Sequence, residues 1–119
     1  MVYLRRNKYG NKKVQLDGYT FDSKAEAKRY GELRLLEKAK RIFNIQVHPE
    51  LFVTVNGPKW KPIPVCKVVL DFSYIPTSWD ESTVYEDVKG KDNALSRLKR
   101  KLVEAQYGIT VHLITKGRR

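Results

Sequence analysis

The 119-residue chain has one cysteine, Cys66, and two histidines, His48 and His112. A single thiol excludes an intrachain disulfide framework and suits a reducing compartment. One Cys with two His also argues against a zinc site. No apolar run approaches the roughly 20 residues a membrane helix needs, so no membrane association is expected. The first six residues, Met1-Val2-Tyr3-Leu4-Arg5-Arg6, lack the apolar stretch of a secretory leader, which leads us to expect a cytoplasmic protein. Acids are scarce as well: 13 Asp and Glu stand against 24 Lys and Arg, a net charge of +11. The apolar share, 41%, is enough for a core and excludes wholesale disorder. The length suits one compact domain.

The positive charge is concentrated. Arg5, Arg6, Lys8, Lys12 and Lys13 fall in the first 13 residues with no acid among them, and Lys116, Arg118 and Arg119 close the chain. A third group, Lys91, Arg97, Lys99, Arg100 and Lys101, is opposed only by Asp92. This pattern predicts a basic flexible arm over 1–12, a single domain over 13–115 and a basic tail over 116–119. Basic ends and one basic helix suit a polyanion such as a nucleic acid, with Arg5, Arg6, Lys8, Lys12, Lys13, Arg97, Lys99, Arg100 and Lys101 as the candidate contacts. Tyr3, Tyr9 and Trp60 could stack on splayed bases or pack at an edge.

Periodicity predicts the elements. Val14 and Leu16, then Asp17-Gly18, then Tyr19 and Phe21 read as a hairpin. Ser23 caps a helix reaching about Lys40, with Glu26 at the N3 position of a capping box. Ile42–Val47 and Leu51–Val55 are β-rich and separated by Pro49. Asn56-Gly57-Pro58 marks a turn, and Pro62 and Pro64 demote their own stretch to edge or loop. Val68–Ile75 and Val84–Lys89 read as strands. Leu95, Leu98, Leu102 and Ala105 form the inward stripe of a helix stopped by Gly108, and Ile109, Val111 and Leu113 alternate as a last strand. The expected class is α/β, a mixed central β-sheet flanked by helices.

The hairpin of the two strands carries the chemistry. Placing Asp71 opposite Asp87 centres the turn on residue 79, in the only turn-like stretch between them. It also gathers Leu70, Tyr74, Val84 and Val88 on one apolar face. Two carboxylates side by side repel, and a bound cation is the usual reason to tolerate them. Lys89 shares the Asp87 face, because strand side chains alternate. A plain Asp71–Lys89 ion pair is the rival explanation. Glu26 weighs against it, as an acid at the end of the stripe Tyr30, Leu33, Leu36. In this register Glu86 falls on the apolar face and demands a basic or hydroxyl partner beneath the sheet. Another register would make Glu86 the ligand instead.

Several segments together resemble the PD-(D/E)XK nuclease superfamily. They are Phe21-Asp22-Ser23-Lys24-Ala25-Glu26-Ala27-Lys28-Arg29-Tyr30, Leu70-Asp71-Phe72, Glu86-Asp87-Val88-Lys89-Gly90 and Leu98-Lys99-Arg100-Lys101-Leu102. More closely, the chain looks like a small phage-encoded member of that group, similar to archaeal-type Holliday junction resolvases. The resemblance covers about residues 10–115. It implies a restriction-endonuclease-like core and a catalytic set of Glu26, Asp71, Asp87 and Lys89. It also implies Mg²⁺, with Mn²⁺ able to substitute, held by Asp71, Asp87, Glu26 and the Val88 carbonyl. Two departures stand out: Leu70 replaces the proline of the family pattern, and Asp87 is shorter than the commoner glutamate.

Carboxylate oxygens suit such a hard cation, and Lys89 would orient the attacking water or steady the phosphate. The resemblance therefore implies a Mg²⁺-dependent DNA endonuclease acting on branched DNA such as four-way junctions, as a homodimer, in the cytoplasm of a phage-infected or lysogenic bacterial host. The rivals are a phage or transposon-end nuclease cutting duplex or flaps, and a non-catalytic nucleic-acid-binding protein that retains the nuclease fold.

Overall fold

The computed structural model describes residues 12–78 and 82–115. Along the chain come β1 (Val14–Leu16), β2 (Tyr19–Phe21), α1 (Lys24–Lys38), β3 (Ile42–Val47), β4 (Glu50–Asn56), β5 (Pro62–Val69), β6 (Phe72–Pro76), β7 (Val84–Lys89), α2 (Ala94–Tyr107) and β8 (Val111–Thr115). Asp17 and Gly18 join β1 to β2, both at positive φ (54° and 83°), as a tight right-twisted hairpin requires. A four-stranded mixed sheet has the order β3-β6-β7-β8. Its β7–β8 pair is parallel and the others antiparallel. Parallel neighbours need a crossover, which α2 provides. The expected α/β class, a mixed sheet with helices on its faces, is what the chain forms.

Two cores fill the two sides. On one, Tyr30 and Leu33 of α1 pack with Phe21, Ile42, Phe72 and Tyr74. On the other, Val103 of α2 meets Leu51, Val53, Val68, Leu70 and Val111. Pro62 and Pro64 lie in β5, which pairs with β4 alone in a two-stranded sheet, so their missing N–H groups cost no central ladder. Among the described residues no helix is long and apolar enough to cross a membrane.

Three expectations need correction. Val68–Ile75 is not one strand: Leu70 and Asp71 fall in a break between β5 and β6. There the Leu70 N–H donates to the Pro49 carbonyl (3.0 Å) and the His48 N–H to the Asp71 carbonyl (2.9 Å). The chain passes between hairpin and main sheet twice at this point, and the two passages are stitched together. As a result Leu70 joins the α2-side core instead of the Tyr74 face. Finally, Leu95, Leu98 and Ala105 are exposed, and the buried residue of α2 is Val103. The helix docks through polar groups: Gln106 and Tyr107 each bond to the Phe52 carbonyl of β4 (2.9 and 2.7 Å). Of the predicted stripe only Leu102 still packs against the core, half-buried beside Val103.

Candidate metal centre

The site begins at the N-terminus of α1. Ser23 is extended (φ −153°) and its hydroxyl accepts the Glu26 N–H at 3.2 Å, the expected cap. Helical spacing then buries Glu26, Tyr30 and Leu33 on one face, with Leu36 half-buried. Glu26 Oε1 does not close the capping box: it is buried with no hydrogen-bond partner. A carboxylate oxygen left in that state is costly.

The β6–β7 register is the one predicted, with Phe72 opposite Glu86, Ser73 opposite Tyr85 and Tyr74 opposite Val84. Asp71 lies just beyond the last pair. Its N–H donates to the Glu86 carbonyl (3.1 Å), and its Oδ2 accepts the Val88 N–H (2.6 Å). The Val88 amide is therefore what the structure ties to the acidic group. Burial pushes the Asp71 carboxyl up to about 9, and the neighbouring Asp87 and Glu26 carboxylates add to the effect. Burial likewise raises Glu26, with Asp22 adding and His48 opposing. Lys89 Nζ lies 3.2 Å from Asp87 Oδ2. Glu26, Asp71, Asp87 and Lys89 are thus brought together.

The structure adds His48, which sequence reasoning did not single out. Ligand atoms of Glu26, His48 and Asp71 lie within 4.8 Å of one another. No spacing rule could have found it, because it arrives from the β3–β4 junction, far from the acids in sequence. The oxygen donors of this group, Asp71 and Glu26 with its orphaned carboxylate atom, suit a divalent cation of the Mg²⁺ or Mn²⁺ kind.

Glu86 has the predicted partners, both a base and a hydroxyl. Arg29 of α1 grips its carboxylate at 2.8 and 2.6 Å, and the Tyr74 hydroxyl donates to the same group. Glu86 is only 2% exposed and faces α1, so it is a structural anion. Of the candidate DNA contacts, Arg5, Arg6 and Lys8 lie outside the described residues. Lys12 is exposed, and Lys13 pairs with Asp22 at 2.8 Å on the surface. Arg100 is held by both oxygens of Asp92 (2.8 and 2.6 Å), while Arg97 and Lys101 are exposed and Lys99 is half-buried. Arg100 therefore fixes the entry to α2.

Fold and site together define an α/β protein with a buried acid–lysine cluster where a hairpin enters a mixed sheet. The chain belongs to the family described as Protein of unknown function (DUF1064), whose profile matches residues 6–119. No curated protein and no solved structure matches it.

Proposed function

We propose that the chain is a divalent-metal-dependent endodeoxyribonuclease of the PD-(D/E)XK type. One observation carries this reading: Glu26 from α1 and Asp71 from the β5–β6 bend bring ligand atoms within 4.8 Å of each other, where a buried Glu26 oxygen lacks a partner, and the Asp87–Lys89 ion pair of β7 neighbours Asp71. Mg²⁺, or Mn²⁺ in its place, would supply positive charge beside the phosphate and a more acidic water. Asp71, Asp87 and Glu26 would hold it. Lys89, anchored by Asp87, is placed to hold the attacking water or a phosphate oxygen by donating hydrogen bonds. In the reaction the water oxygen bonds to phosphorus, one ester P–O bond breaks, and the departing oxygen takes up a proton. The basic residues of the N-terminal arm and of α2 would position the sugar–phosphate backbone. The resemblance to archaeal-type resolvases supports branched DNA as substrate, and paired cuts across a junction call for a homodimer.

The test is cleavage of a four-way junction, a flap and a linear duplex with Mg²⁺ or with EDTA, comparing wild type with Asp87→Asn. We expect Mg²⁺-dependent cutting that the variant loses by at least ~100-fold, as for removal of a group stabilising charge in the transition state. Equal cutting by the variant would remove the site, and DNA binding without cutting would leave a non-catalytic binder.

A further inference from the structure

His48 is held in an unfavourable backbone conformation beside the acids. Its φ is 57°, in the left-handed region that costs an ordinary residue about 1 kcal/mol or more. The residue after it is proline. Two bonds keep it there: its N–H to the Asp71 carbonyl, and the Leu70 N–H to the Pro49 carbonyl. The ring rests near Phe21, centroids 5.9 Å apart. Its Nε2 then stands 3.9 Å from the orphaned Glu26 Oε1, too far for a hydrogen bond. An ordinary Glu–His pair would close this gap. A nitrogen and an oxygen that both bind one ion through bonds of about 2.1 Å stay roughly 3–4 Å apart.

We infer that His48 is a nitrogen ligand of the metal centre, so that the site takes a divalent transition ion such as Mn²⁺ more tightly than Mg²⁺. This rests on the metal-centre reading. Mg²⁺ demands oxygen ligands, whereas imidazole suits first-row transition ions. The strained backbone serves to present the ring, and its attachment to Asp71 makes the two ligands move as one.

Calorimetry without DNA tests this, titrating Mn²⁺ and Mg²⁺ into wild type, His48→Ala and His48→Gly. Glycine accepts the left-handed backbone without strain, which guards against failure to fold. We expect both variants to bind Mn²⁺ at least ~10-fold more weakly, with Mg²⁺ affinity within about 2-fold, since only the transition ion gains from the imidazole. Added imidazole should restore part of the Mn²⁺ affinity of His48→Gly. With Co²⁺ as probe, the visible spectrum of the wild-type complex should change in both variants. Parallel losses for Mn²⁺ and Mg²⁺ would make His48 a positioning residue and overturn the inference, as would unchanged Mn²⁺ binding. If wild type bound neither ion, the metal-centre reading itself would fall.

Discussion

Glu86 and Asp87 are adjacent acids with opposite duties. Strand alternation sends Glu86 under the sheet to Arg29 and Tyr74, and Asp87 to the other face with Asp71 and Lys89. Glu86→Gln should leave the Arg29 charge poorly matched and cost roughly 1–3 kcal/mol, read as a lower urea midpoint. Asp87→Asn should leave that midpoint within about 0.5 kcal/mol of wild type or raise it, and abolish cleavage. Loss of cleavage in Glu86→Gln at full stability, with Asp87→Asn active, would reverse the assignment. Asp71 adds a pH dependence. Its carboxyl keeps its proton in the fold up to about pH 9, against an ordinary value of 3.8. Across that interval the unfolded chain binds fewer protons than the folded one, so metal-free stability falls as pH rises. Asp71→Asn should flatten this slope and raise Tm in EDTA at pH 8 by ~4 °C or more, as measured by thermal melts. Added Mg²⁺ should raise the wild-type Tm and leave that of the variant unmoved.

At the scale of elements, some parts were legible in the sequence and others were not. The α1 face was readable because Glu26, Tyr30, Leu33 and Leu36 repeat at the helical period and Ser23 caps the start. The β6–β7 register was readable because two acids, an apolar face and a single turn all agreed on one pairing. The face of α2 was not, because Gln106 and Tyr107 dock it by bonding to strand backbone, and no apolar count registers that. The break at Leu70–Asp71 was hidden inside an unbroken β-like run, since the bonds that make it come from His48 and Pro49. The β4–β5 hairpin ends in the short 3₁₀ turn Pro58–Trp60, where Lys59 and Trp60 both have positive φ (58° and 62°). Trp60 is 80% exposed between two lysines. An exposed, cation-flanked indole suits base stacking. Trp60→Ala should weaken binding to DNA with unpaired bases by ~1–3 kcal/mol and spare plain duplex, with Tm unchanged. Equal losses on both DNAs in a fluorescence titration would exclude stacking.

For the whole molecule, the net charge of +11 belongs mostly to the two ends and to residues 91–101, while three acids, Glu26, Glu86 and Asp87, are buried. Affinity for DNA should fall steeply with salt. Replacing Lys99 and Lys101 with Gln should reduce the slope of log K against log salt by about 1–2 while leaving the metal-binding isotherm unchanged, because phosphate contacts release counterions and metal ligands do not. The Arg29–Glu86 pair has a consequence of a different order. It joins α1, which carries Glu26, to β7, which carries Asp87 and Lys89. The spacing of Glu26 from Asp87 and Lys89 thus depends on Arg29 and Glu86, which lie outside the proposed ligand set. Lineages that lost cleavage would be free to change Asp71, Asp87 and Lys89 one at a time. Arg29, Tyr74 and Glu86 should persist or be replaced together, since changing one strands the others in the interior. The genetic record of this family should therefore hold two separately inherited sets of residues, one for chemistry and one for shape.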